Sequence, residues 1–357
     1  MNEILRRPAR RSHATIKEVA VLAGVSQMTV SRVLNQRETV KESTRVKVDE
    51  AIRELNYRPN LLARGLAGGK SLFIGLIFHN PSNTYLGELL VGALRACRDE
   101  GHHLVIEDFT CEDIKEYGPK FVERLSGAGL DGVIIAPPYS ENAEFLSALA
   151  LARIVNVRIA SMGDSKNDIS VSIDDAEAAE EMTHHILDCG HRKIGFIRGP
   201  DDQSSSRFRF RGFKSAMARR GIPVGEGWVV QGDYTYRSGM LAAEAILALP
   251  DRPTAIFASN DDMAAGVVAA AQRLGLKVPD DLSVAGFDDT MFATAIWPQL
   301  TTVRQPIADM AAEAVRLLSR HLHTRGEEEE NGDGSGAAPR NVVLEVEIIS
   351  RGSLKKF

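Results

Sequence analysis

Apolar positions recur along the chain in two rhythms, and the change from one to the other falls near residue 70. Over residues 16–23 they come at helical spacing, with Ile16, Val19, Ala20 and Ala23 on one face, and Thr15 with Glu18 forms a T-x-x-E capping box at the start. Gly24 supplies a backbone that turns sharply without a Cβ penalty, Val25 fills the angle between two helices, and the Ser26 hydroxyl is placed to cap the second. That second helix turns Val30, Val33 and Leu34 inward and leaves Gln27, Met28, Thr29, Ser31 and Arg32 on its other faces. A third helix is expected over residues 43–55, capped by Ser43, with Val48, Ala51, Ile52 and Leu55 facing inward. Tyr57-Arg58-Pro59-Asn60 stops it, and LLARGLAGG at 61–69 is too short to hold a helix alone.

From Leu72 onward, short continuous apolar runs alternate with helical stretches. Strands are expected at 72–78, 103–109, 132–137, 153–161, 193–199, 228–233, 255–260 and 282–287, with helices such as 86–100, 175–189, 207–220, 237–249 and 262–274 between them. Strands without polar alternation are buried on both faces, so parallel sheets covered by helices are predicted. The fold class is α/β: a small all-α head at 15–59, then a two-lobed, doubly wound body over 71–357 with ligands at the carboxyl ends of its strands. One lobe is expected to take about 71–171 and 303–325, the other about 172–302 and 341–357, with Thr301–Ile307 crossing back to the first. GEEEENGDGSGAAPR at 326–340 is acidic and nearly free of apolar residues, so a disordered loop is expected there, followed by a strand in NVVLEVEIISRGS.

Charge changes the reading of the head. A helical hairpin alone would fit the pattern, but residues 1–70 carry 14 Lys and Arg against 7 Asp and Glu, a net of +7 on a chain whose total is −5. Such asymmetry points to a nucleic-acid head on an acidic body. Arg6, Arg7, Arg10 and Arg11 mark residues 1–14 as an unstructured basic arm. No secretory run opens the chain and no stretch approaches the roughly 18 apolar residues of a membrane span, so a cytoplasmic protein is expected. Cys97, Cys111 and Cys189 form no C-x-x-C, and His184, His185, Cys189 and His191 match no ligand spacing; no disulfide framework, metal or cofactor is expected.

The competing classes are weaker. GLAGGKS at 65–71 imitates a phosphate loop, but the first Gly of the motif would fall at Arg64 and the stretch precedes a strand instead of following one. The chain contains no nucleophile elbow, HExxH or dinucleotide fingerprint, which favours binding over catalysis. A transport-type solute receptor would share the two lobes but not the basic head. Asn260 with Asp261, and Asp288 with Asp289, each close an expected strand, where such groups bind hydroxyls; Asp261 is equally placed to cap the next helix.

The run I-x-x-V-A-x-x-A-G-V-S-x-x-T-V-S-R-V-L-N from Ile16 resembles the head of lactose-repressor family transcription regulators. NTYLGELLVGAL, GLDGVIIAPP, CGHRKIGFIRGP, RFRFRGF, ASNDDMAAG, PDDLSVAGFDDT and WPQLTTVRQP extend the likeness from about Thr15 to Ser353. The resemblance implies DNA contacts from Thr15, Ser26, Gln27, Met28, Thr29, Ser31, Arg32 and Asn35, and a hinge helix at 60–70 in which Ala63 and Leu66 reach the minor groove, Leu66 as the wedge. It also implies a homodimer, or a higher oligomer, on a pseudo-palindromic double-stranded operator. In the body it implies a small effector, a mono- or disaccharide, held by Tyr85, Arg209, Tyr234, Asn260, Asp261 and Asp288, with a nucleobase-like corepressor as the rival. Arg207 and Arg211 read as surface charges. The chain departs from the family pattern after RIVNVRIA, where the acidic residue is displaced to Asp164 in Ser161-Met162-Gly163-Asp164.

Overall fold

The computed structural model describes residues 16–35, 40–55, 71–108, 122, 125, 127–161, 168–331 and 340–357. The chain divides into two compact units, Met1–Ser71 and Leu72–Phe357. The basic arm, Thr15, the hinge residues Ala63 and Leu66, and Asp164 lie outside the described residues.

In the head, α1 (Ile16–Ala23), α2 (Gln27–Asn35) and α3 (Glu42–Glu54) close around Val19, Ala20, Val30, Val33, Val48 and Ala51, all buried. Gly24 takes a φ of +66°, the left-handed value the turn needs, and Val25 packs between the helices. The Thr29 amide donates to the Ser26 hydroxyl at 3.1 Å, the cap expected from sequence. The expected cap at Ser43 is not formed: α3 starts one residue earlier, after Lys41, and Ser43 sits inside the first turn.

The body contains two six-stranded sheets. The first, in the order β11-β5-β4-β3-β1-β2, comprises β1 (Phe73–Phe78), β2 (His103–Asp108), β3 (Gly132–Ile135), β4 (Val155–Ile159), β5 (Ser170–Ser172) and β11 (Asn341–Val343), all parallel. The second, in the order β12-β10-β9-β8-β6-β7, comprises β6 (Ile194–Arg198), β7 (Val229–Gln231), β8 (Ala255–Ala258), β9 (Ser283–Asp288), β10 (Thr301–Arg304) and β12 (Glu347–Ile349). Only β12 runs antiparallel, against β10. The central strands β3, β8 and β9 are buried at every position, as unalternated apolar runs require.

Helices α4 (Asn83–Glu100), α5 (Ala143–Leu151), α6 (Asp175–Asp188), α7 (Ser204–Arg219), α8 (Tyr236–Leu247), α9 (Asp261–Arg273), α10 (Met291–Ala295) and α11 (Ile307–Asn331) cover the sheets. Close crossings rest on glycine: a Cβ at Gly92 of α4 would lie 2.1 Å from the Ala308 carbonyl oxygen of α11. Three segmental expectations are corrected. Thr301–Arg304 adds a strand to the second sheet, so the crossing back falls at 305–306; the strand expected after residue 340 is two short ones, β11 in the first sheet and β12 in the second; and α11 continues through 326–331, where a loop was expected.

Candidate functional site

On the head, α2 buries Val30 and Val33 and leaves Gln27, Met28 and Arg32 exposed, Met28 at 67%. Ser26 and Thr29 bond each other through their hydroxyls at 2.9 Å, so both are fixed at the start of this helix. α2 thus presents a bidentate amide, a flexible thioether and a guanidinium from one rigid turn, the inventory that reads base edges and phosphates in a major groove. The backbones of Ser31 and Asn35 belong to the same helix.

In the body, eight strand ends converge on one cavity. Asn80, Ser82 and Tyr85 follow β1, Pro137 follows β3 and Ala160 follows β4; from the other sheet Gln203, Ser205 and Arg209 follow β6, Tyr234, Asn260 and Gln305 follow β7, β8 and β10, and Asp288 ends β9. This is the position that doubly wound topology reserves for ligands. The backbone here is strained, with φ of +51° at Ala160, +68° at Tyr234, +115° at Asp288 and +58° at Asp289. Each such residue costs on the order of 1–3 kcal/mol and persists only where its surroundings over-determine it. Asp289 is held by Arg304 Nε at 2.7 Å and Arg351 Nη2 at 2.6 Å, Asp288 by Gln305 Nε2 at 2.6 Å.

Arg209 is the centre of the site. Its Nε donates to Asp175 Oδ1 at 2.7 Å, its Nη1 donates to the Ser259 carbonyl at 2.6 Å and stands 3.5 Å from Asp288 Oδ1, and its guanidinium lies 3.6 Å from the Phe287 ring centroid. Burial works against its charge, but Asp175, Tyr234 and Asp288 more than offset it, so its pKa is raised. Asn260 caps α9, accepting from the Met263 amide, and donates to the Tyr234 carbonyl at 3.0 Å. The Tyr234 hydroxyl sits 3.3 Å from Ser205 Oγ.

Asp261 is a correction: it does not line the cavity. Its Oδ2 accepts from the Thr290 amide at 2.8 Å and its Oδ1 from Thr302 Oγ1 at 2.7 Å, which fixes the turn after β9 behind the site. Five polar participants escaped sequence reasoning, besides Pro137 and Ala160: Asn80, Ser82, Gln203, Ser205 and Gln305 lie in loops or first turns with no distinctive spacing, and only the topology gathers them. Arg207 and Arg211 are exposed.

Two carboxylates tie the lobes together on either side of the cavity. Asp262 at the start of α9 accepts from Ser82 Oγ at 3.0 Å and Thr84 Oγ1 at 2.8 Å at the start of α4. Glu141, after β3, accepts from both the amide and the hydroxyl of Ser204 at the start of α7. Burial raises the pKa of both.

Burial also pushes the Asp288 carboxyl up to about 7, against the pull of Arg209, and raises Asp175. A raised folded-state pKa means that the folded protein binds the proton more tightly than the unfolded chain. The resulting stability is complete below the ordinary carboxylate value of about 4 and is lost as pH rises through about 7. The empty body should therefore melt about 2–4 °C higher at pH 6 than at pH 8, from about 1 kcal/mol at Asp288. Scanning calorimetry of wild type and Asp288→Asn checks this; an equal difference in the variant would assign the effect elsewhere.

A helix-turn-helix head on a two-lobed body with a buried polar cavity defines a ligand-responsive DNA-binding regulator. The comparisons agree. Residues 15–60 match the family described as bacterial regulatory proteins, lacI family, and residues 183–354 match a periplasmic binding protein-like domain. Catabolite control protein A of Priestia megaterium is 37% identical over 312 residues, covering 87% of this chain and 93% of that protein. A lac repressor dimer solved with operator and the anti-inducer ONPF superposes with a TM-score of 0.77 at 27% identity, covering 96% of this chain and 100% of that one. A CelR–cellobiose complex gives a TM-score of 0.69 at 28% identity, with 95% and 99% covered. The chain belongs to the lacI family of bacterial transcriptional regulators. Among the described residues, no helix is long and apolar enough to cross a membrane.

Proposed function

We propose that this protein is a repressor of carbohydrate-utilisation genes that binds a pseudo-palindromic operator as a homodimer and is controlled by a mono- or disaccharide in the cavity between its lobes. The observation that carries the reading is the cavity's composition: a clamped guanidinium, a carboxylate, amides and two tyrosines converge from eight strand ends. Sugars offer dense directional hydroxyls and an apolar ring face, which this mixture matches. That a solved relative holds cellobiose supports it. A dimer is favoured because one recognition helix buries too little surface for tight specific binding, and the lac repressor is a dimer on its operator.

Gln27 and Met28 set the base preference in this account. The Gln27 amide pairs with an adenine edge, whereas Met28 offers apolar contact to a thymine methyl. Exchanging the pair for that of a relative should redirect the sequence recovered from a randomised DNA pool, each lost contact weakening the original site by about 1–3 kcal/mol. An unchanged preference would refute the assignment. Leu66 remains the proposed minor-groove wedge.

A further inference from the structure

We infer that the cavity selects an uncharged polyhydroxylated effector and rejects phosphorylated or carboxylated counterparts of the same sugar. The inference rests on the sugar reading above and adds the sign of charge that the site admits. Among the described residues lining the cavity, Arg209 is the one cation. A guanidinium recruits phosphate or carboxylate when its fork is free, because two parallel N–H donors match two oxygens. Here two of its three nitrogens are taken, Nε by Asp175 at 2.7 Å and Nη1 by the Ser259 carbonyl at 2.6 Å, Asp288 stands 3.5 Å from Nη1, and Nη2 is the nitrogen left without a hydrogen bond among the described residues. One cation therefore faces two carboxylates, all three buried.

An arriving anion would meet Asp288 directly, since that carboxylate also lines the cavity, and would lose its hydration with no uncommitted cation to replace it. The other lining groups, Asn80, Ser82, Gln203, Ser205, Asn260 and Gln305, are neutral amides and hydroxyls. They suit hydroxyls, which donate and accept, and do not compensate a full negative charge.

The test is calorimetry on the full-length protein with matched pairs: glucose, galactose, ribose and the disaccharide cellobiose, each beside its terminal phosphate, and glucose and galactose beside their uronates. For any sugar that binds, the charged partner should bind at least about tenfold more weakly, a bound set well below the full scale of one uncompensated charge pair near a protein surface. Asp175→Asn, which removes one of the two carboxylate charges held against Arg209, should narrow the ratio. If that variant does not fold, the wild-type ratios still decide. A charged member binding as tightly as its neutral partner overturns this selectivity and leaves the sugar reading standing; no binding anywhere in the panel overturns both.

Discussion

Arg209→Ala is expected to abolish sugar binding and to destabilise the body by about 3–5 kcal/mol, the range for breaking a buried ion pair from one side. The magnitude follows from what the arginine holds. Asp175 and Asp288 are 6% and 4% exposed, and without the guanidinium both would remain buried with no cation between them. The Ser259 carbonyl would lose its donor and the Phe287 ring its stacked cation. Lowering the pH should recover part of the loss, because protonation removes the two charges. Denaturant titration at pH 8 and pH 6 separates this from simple loss of packing, which would be equally large at both.

The second large effect is expected at Gly266→Ala. A Cβ at Gly266 of α9 would lie 2.2 Å from the Tyr236 carbonyl oxygen and 2.6 Å from the Met240 amide nitrogen of α8, while one at Gly239 of α8 would lie 2.3 Å from the Met263 carbonyl oxygen. The two backbones touch, and neither can yield as a flexible side chain would. A loss of about 3 kcal/mol is expected, the upper range of overpacking. The effect should reach the site as well. α9 begins beside Asn260 and carries Asp262, and α8 follows Tyr234, so forcing the helices apart displaces cavity walls and one of the two ties between the lobes. Urea unfolding measures the first effect and sugar affinity the second; a variant with wild-type stability would show that the helices shift freely.

The head was legible because its signals are local. The cap at Ser26, the turn at Gly24 and the inward face of Val30 and Val33 all act within a few residues of each other, and the structure places them as their spacing dictates. The eight strands β1–β4 and β6–β9 were legible from local apolar runs, even β7 at three residues. β5, β11 and β12 were not foreseen as separate strands, and the destination of β10 depends on a neighbour far away in sequence.

The cavity was half legible. Arg209, Asp288, Asn260, Tyr85 and Tyr234 sit in motifs, but Asp261 and Asp288 look alike in sequence, each closing a strand. Their difference is geometric. Asp261 turns behind β9 onto Thr290 and Thr302, where Gly286 leaves room for it, whereas the positive φ of Asp288 carries its carboxylate into the cavity. Asp175, the partner that decides the charge of the site, opens a helix and reads as an ordinary first-turn acid until Arg209 is found against it.

The central claim is that occupancy of the cavity sets affinity for an operator. Fluorescence anisotropy on a DNA site recovered by selection with the full-length protein, titrated with and without a saturating sugar found by calorimetry, tests it most directly. The sugar should change the operator Kd by at least about fivefold, the lower end of ordinary allosteric coupling. An operator Kd unchanged by a sugar that demonstrably fills the cavity would contradict it.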